Sequence, residues 1–250
     1  MRDPHVEWLE YELQTNLIFD NPPPFRWQGS AFEVTLNNAI LRVDMRAHFA
    51  TVEEARPALE QFLQTWEIDT ALTCGQREMT FEFKNARVVD RNPPPPGPAV
   101  TGTGTMAGRA SVSAVGKVTR KTYPAVPTNF TAVPDVISLW NRFEGYKAGR
   151  EPIASMAYFC FTLIKNRHGS TDAARKALSV DHAVLKRLSE LSTNRGDVST
   201  ARKMTASLTP FTTQETQWLE AVVRALIRRV GEIASGYSPL QLTMTQLPKL

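Results

Sequence analysis

Ile153-Ala-Ser-Met-Ala-Tyr-Phe-Cys-Phe-Thr-Leu-Ile164 decides the fold of this chain. Wound into a helix, its apolar side chains cover nearly every face, interrupted only by Ser155 and Thr162. A helix that is apolar all round must be covered all round, so it belongs at the centre of a bundle. It is well short of the roughly 20 residues needed to cross a bilayer. Pro152 precedes it, where a first-turn proline is tolerated because its missing N–H would be unpaired anyway.

The flanking sequence supplies helices to cover it. Asp135 is placed to cap a helix carrying Ile137, Trp140 and Phe143. Ser170 or Thr171 starts a short helix through Leu178, and Asp181 caps another through about Leu191. Arg195-Gly-Asp197 reads as a turn, followed by a brief helical piece with Ala201, Arg202 and Lys203. Thr212 and Glu215 have capping-box spacing, and Trp218, Val222, Leu226 and Val230 form the stripe of the last long helix. Leu240–Leu250 alternates weakly, which predicts a short terminal strand.

Towards the N-terminus the period changes from helical to two. Phe32, Val34 and Leu36 alternate, Asn37-Asn38 can turn, and Leu41, Val43 and Met45 alternate again, which predicts a hairpin. Thr51 and Glu54 form a second capping box, ahead of Ala55, Leu59, Phe62, Leu63 and Trp66 at helical spacing. Pro57 should loosen the first turns of that helix. Met79, Phe81 and Phe83 alternate in a strand ending near Asp90. Arg91-Asn-Pro-Pro-Pro-Pro-Gly-Pro98 can be neither helix nor central strand and reads as a stiff polyproline-like loop. Val100–Tyr123, rich in Thr, Ser, Gly and Val, predicts a second hairpin, and Pro124, Pro127 and Pro134 mark a linker. The expected fold class is therefore α+β: a small mixed domain over 1–130 with two hairpins and one helix, then an all-α bundle over 135–250.

Composition is that of an ordinary globular chain, with 42% hydrophobic and 22% charged residues. The net charge of +4 is unevenly spread. Residues 1–130 hold 13 Lys and Arg against 15 Asp and Glu, whereas residues 131–250 hold 16 against 10. The basic surplus of the helical half permits contact with phosphate. Met1-Arg-Asp-Pro-His5 lacks an apolar signal-peptide core, so a cytoplasmic location is expected, with no membrane contact. Cys74 and Cys160 are too few and too far apart for a disulfide framework, and Cys160 reads as a core hydrophobe.

Few recognisable catalytic or binding motifs stand in the chain. The chain lacks G-x-S-x-G, H-E-x-x-H, C-x-x-C and the phosphate-binding G-x-x-x-x-G-K-[ST]. Gly102, Gly104 and Gly108 miss the dinucleotide spacing and lead into a strand-like run. His5, His48, His168 and His182 are not at metal-ligand spacing, so neither a metal nor another cofactor is expected.

Two patterns remain, both in the basic half. Ala174, Leu178, Val180, Leu185 and Leu188 occupy the buried positions of a helix-turn-helix, with Ser179 and Asp181 at its turn. The second helix would then present His182, Lys186 and Arg187 as donors to phosphates and base edges. Two bundle helices packed across a short loop give the same pattern. Arg195, Arg202, Lys203, Arg224 and Arg228 extend the set of candidate nucleic-acid contacts, although Glu220 stands four residues before Arg224 and suits a local solvated pair.

The second pattern is one of order and shape: the apolar helix Ile153–Ile164, the middle helix His182–Leu191, the polar turn at Arg195 and the final helix opened by Thr212-Thr-Gln-Glu215. In this the second half resembles the HEPN superfamily of small helical bundles. That resemblance implies a ribonuclease, or a partner of nucleotidyltransferases, in microbial defence. The family's catalytic motif is an arginine followed after a short spacer by a histidine. It supplies a cation for phosphate charge and an imidazole for acid–base work. Arg195 has no such histidine, since positions 200–202 are Thr, Ala and Arg. Arg175 and His182 are the formal match, with six residues between them across a helix break. A ribonuclease built on that pair would be expected to work as a homodimer. The departure from the motif favours a non-catalytic module that binds nucleic acid or a partner protein.

Overall fold

A computed structural model describes residues 2–74, 79–92, 119–196 and 209–250. The fold is α+β, and the chain divides into two units, Met1–Val126 and Pro127–Leu250. The predicted second hairpin falls mainly outside the described residues, as do the prolines of the predicted stiff loop and the predicted helical piece at Ala201–Lys203.

In the first unit, β1 (Pro4–Thr15), β3 (Phe25–Gln28), β4 (Phe32–Asn37), β5 (Ile40–Met45) and β6 (Met79–Asp90) form one antiparallel sheet in the order β3-β4-β5-β1-β6. The β4–β5 hairpin turns at Asn38 and Ala39, both with positive φ. The sequence reading overlooked β1, the strand second from the edge, because its alternation is broken. Val6, Leu9, Tyr11 and Leu13 are all buried, yet Val6 and Leu9 have opposite parity. A bulge resolves this: Val6 faces Val88 and Trp8 faces Arg87, which leaves Glu7 as the extra residue. The short β3 adds Phe25 and Trp27, whose rings lie 4.9 Å from Trp66 and 4.6 Å from Phe62.

The opposite face of the sheet carries ion pairs, among them Arg42–Asp44, Lys84–Glu12 and Arg87–Glu7. It is therefore a wet face, in keeping with an antiparallel sheet packed on one side. The edge strand β6 is partly guarded. The Phe81 N–H donates to Glu67 Oε1 at 2.8 Å, and a second register shift leaves Lys84 unpaired in the ladder.

Helix α1 (Val52–Cys74) runs two turns past Trp66, the last residue of the predicted stripe. Its start differs in detail from a capping box. Thr51 Oγ1 accepts from the Glu54 N–H, but Glu54 Oε2 accepts from Ala50 rather than Thr51. Trp66 is fully buried and donates through Nε1 to the Pro124 carbonyl at 3.1 Å, tying the chain before the second unit to the first unit's core. The short β2 (Ile18–Phe19) pairs in parallel with β7 (Thr119–Arg120).

The second unit holds α2 (Pro134–Lys147), α3 (Ile153–His168), α4 (Thr171–Ala177), α5 (His182–Asn194) and α6 (Thr213–Ala234). The apolar α3 touches all four others. Burial pushes the Cys160 thiol up to about 12, with Glu151 adding to the shift, so it packs as an inert core group. Three boundary expectations are corrected. Asp135 does not cap α2: Pro134 opens it, Val133 is the N-cap, and Asp135 lies in the first turn, paired with Arg167. Pro152 is the N-cap of α3 rather than a first-turn residue. The predicted terminal strand is a single parallel bridge, Val180–Leu242, followed by a 3₁₀ turn at Met244–Gln246. At this bridge the Leu242 N–H donates to the Ser179 carbonyl and the Leu242 carbonyl accepts from the Asp181 N–H. Among the described residues, no helix is long and apolar enough to cross a membrane.

Candidate functional site

The described candidate residues lie on α4, the turn after it, α5 with the residue that ends it, and α6. Ala174, Leu178, Val180, Leu185 and Leu188 are all buried. Ser179 adopts a left-handed φ of 51°, a conformation that glycine would adopt without a Cβ penalty. Asp181 caps α5 by accepting from the Ala183 N–H at 2.7 Å. His182, Ala183 and Lys186 are exposed along α5. A shallow cleft of about 420 Å³ runs beside them, lined by Ala183, Lys186, Arg187, Glu190, Met244 and Leu250. The C-terminal tail thus borders the helix that a helix-turn-helix would insert into a groove.

Arg187 and Arg195, expected as surface donors, are drawn to a buried carboxylate. The Glu215 side chain is 6% exposed. Arg195 approaches its Oε1 through Nε at 3.1 Å and Nη2 at 2.9 Å, and Arg187 Nη2 lies 3.6 Å away. Glu215 Oε2 accepts from the Thr212 N–H at 3.0 Å, and Thr212 Oγ1 accepts from the Glu215 N–H, so the predicted capping box is present in full. Burial pushes the Glu215 carboxyl up, but the Thr212 backbone bond and the Arg195 guanidinium outweigh it and hold the group below the usual carboxylate range. Sequence reading identified Glu215 only as a cap. Its position one turn before Trp218, on the buried stripe, was the signal that it needed cationic partners.

The other candidates are placed as follows. Arg175 lies on α4, 3.6 Å from Asp172, and His182 opens α5. Among the described residues, no hydrogen bond or ion pair joins Arg175 to His182. Arg228 lies over the Phe130 ring at 5.7 Å. Arg224 lies on α6 beside the buried Val223. Glu220 accepts from the Tyr146 hydroxyl at 2.6 Å and lies 3.3 Å from Lys147 Nζ. Arg202 and Lys203 are outside the described residues. No group of three or more His, Cys, Asp or Glu among the described residues could hold a metal ion. Comparison with known proteins found no family model, no curated protein and no solved structure that matches this chain.

Proposed function

We propose that the helical half is a non-catalytic interaction module that engages nucleic acid through the exposed face of α5. One observation carries this reading: His182 and Lys186 stand exposed on one helix, in the half with the basic surplus, while Arg195 is bound to Glu215 and Arg187 is shared between Glu190 and Glu215. Lys186 is then a phosphate contact, and contacts of this kind make binding salt-dependent. The test is fluorescence anisotropy with labelled single-stranded RNA and duplex DNA at two salt concentrations. Lys186→Ala is expected to weaken binding across sequences and to reduce the salt slope by about one. Absence of salt-dependent binding to either probe refutes the reading and leaves a protein partner as the target of this surface. RNA cleavage abolished by His182→Ala would instead make the module a HEPN-like ribonuclease, active in defence as that resemblance implies.

A second reading, a DNA-reading helix-turn-helix, is favoured by the left-handed Ser179 and the five buried positions around it. Sequence-specific retention of duplex DNA by the whole chain, lost in Lys186→Ala, would select it. The tail beside α5 favours a shallow contact over insertion of that helix into the major groove.

A further inference from the structure

The strongest feature outside the basic bundle is a pair of histidines in the first unit. His5, near the start of β1, is 4% exposed, and its Nδ1 is buried with no hydrogen-bond partner. The His48 ring stacks on it, with centroids 5.3 Å apart and planes inclined by 18°. His48 comes from the loop between β5 and α1, and its Nε2 lies 3.1 Å from Asp3 Oδ1.

The same residues sit where backbone bonds hold the start of β1. The Val6 N–H donates to the Phe49 carbonyl at 2.8 Å, and the Arg91 N–H donates to the Asp3 carbonyl at 2.8 Å. Asp3 in turn donates its N–H to Asp90 Oδ1 at 2.9 Å. One small region thus joins the start of β1, the loop before α1 and the end of β6. We propose that the stacked His5–His48 pair is a pH-sensitive latch, closed while the buried His5 ring is neutral and released when acid charges that ring.

The charges around His5 set the direction. A proton on the ring would have to be held in a buried site, beside Arg91 and against a second imidazole, which all oppose it. Asp3 and Glu7 favour it, but Asp3 also serves His48. Burial comes first among these effects, and together they hold the His5 imidazole below its ordinary range. The folded state therefore prefers neutral His5. The stability linked to it is complete above the unfolded histidine's pKa and is lost as the pH falls through the lower folded value. The ordinary histidine value is 6.5, so the loss begins as the pH falls below it.

Amide hydrogen exchange of the whole chain at about pH 7.5 and about pH 5, corrected for intrinsic rates, reads the latch directly. The Val6 and Arg91 amides are expected to lose protection at the lower pH. The Leu13 amide, further along β1 and bonded to the Ala39 carbonyl of the β4–β5 turn, is expected to keep it. Equal protection of Val6 at both values overturns the proposal. His5→Phe keeps a buried ring that cannot charge, and should hold Val6 protected at both. If it loses protection as the native chain does, nearby carboxylates are responsible and the latch is refuted. His48→Gln removes the second imidazole, which opposes a proton on His5, and should move the loss to lower pH. An unchanged midpoint also overturns the proposal.

Discussion

Replacing Glu215 by Ala tests whether the carboxylate beneath Arg187 and Arg195 holds the bundle together. The substitution removes one charge-assisted hydrogen bond and a close ion-pair contact to Arg195, one acceptor for the Thr212 N–H, and one of the two carboxylates near Arg187. Hydrogen bonds to charged groups contribute about 1.5–3 kcal/mol each, and a helix cap about 1 kcal/mol. Both guanidinium groups can recover part of their hydration, since the Arg195 and Arg187 side chains are 29% and 34% exposed. The net loss should therefore be about 2–4 kcal/mol, below the simple sum. Urea unfolding followed by circular dichroism should show the bundle's midpoint falling by about 1–2 M. Glu215→Gln keeps the shape and an acceptor for Thr212, and should cost about half as much. A double-mutant cycle with Arg195→Ala separates the pair from the cap. If Glu215→Ala shifts the midpoint by less than about 0.3 M, or if the cycle shows no coupling, the carboxylate is only a cap and the reasoning fails. The pH dependence gives an independent check. The Glu215 carboxyl titrates below its ordinary value of 4.5 in the fold, so its contribution is complete above that value and is lost as the pH falls through the folded one. Glu215→Gln should remove that acid-side loss.

Two further outcomes follow from local geometry. Gly231 is buried on α6 against Phe130, and a Cβ there would run into the ring. Gly231→Ala should cost about 1–3 kcal/mol in thermal unfolding, and Phe130→Leu in the same chain should recover part of it. Ser179 holds a left-handed φ of 51° at the α4–α5 turn, so Ser179→Gly should stabilise the bundle by about 0.5–1 kcal/mol, whereas Ser179→Val should destabilise it.

The elements that could be read from the chain are those whose reasons are local. The capping box at Thr212 and Glu215, the cap at Asp181, the all-round apolar α3 and the β4–β5 hairpin each follow from residues within a turn or a few positions of one another. Such signals survive because a cap or a period is satisfied before any distant part of the chain arrives. The sheet was less legible. β1 hides its period behind a bulge, and a bulge exists only against a partner strand, here β6 more than seventy residues on.

The candidate site divides along the same line. Sequence alone placed a basic surplus in the second half and put His182 and Lys186 on a helix. Only the tertiary structure decided which cations are free to meet a partner. Arg195 binds Glu215, and Arg187 is shared between Glu215 and Glu190, because a charge on a buried stripe must find its counter-ion wherever the fold brings one. The His5–His48 pair has the same origin. Neither residue has a cysteine or a second histidine near it in the sequence, and it is the packing of β1 against the loop before α1 that brings two isolated imidazoles into one stack.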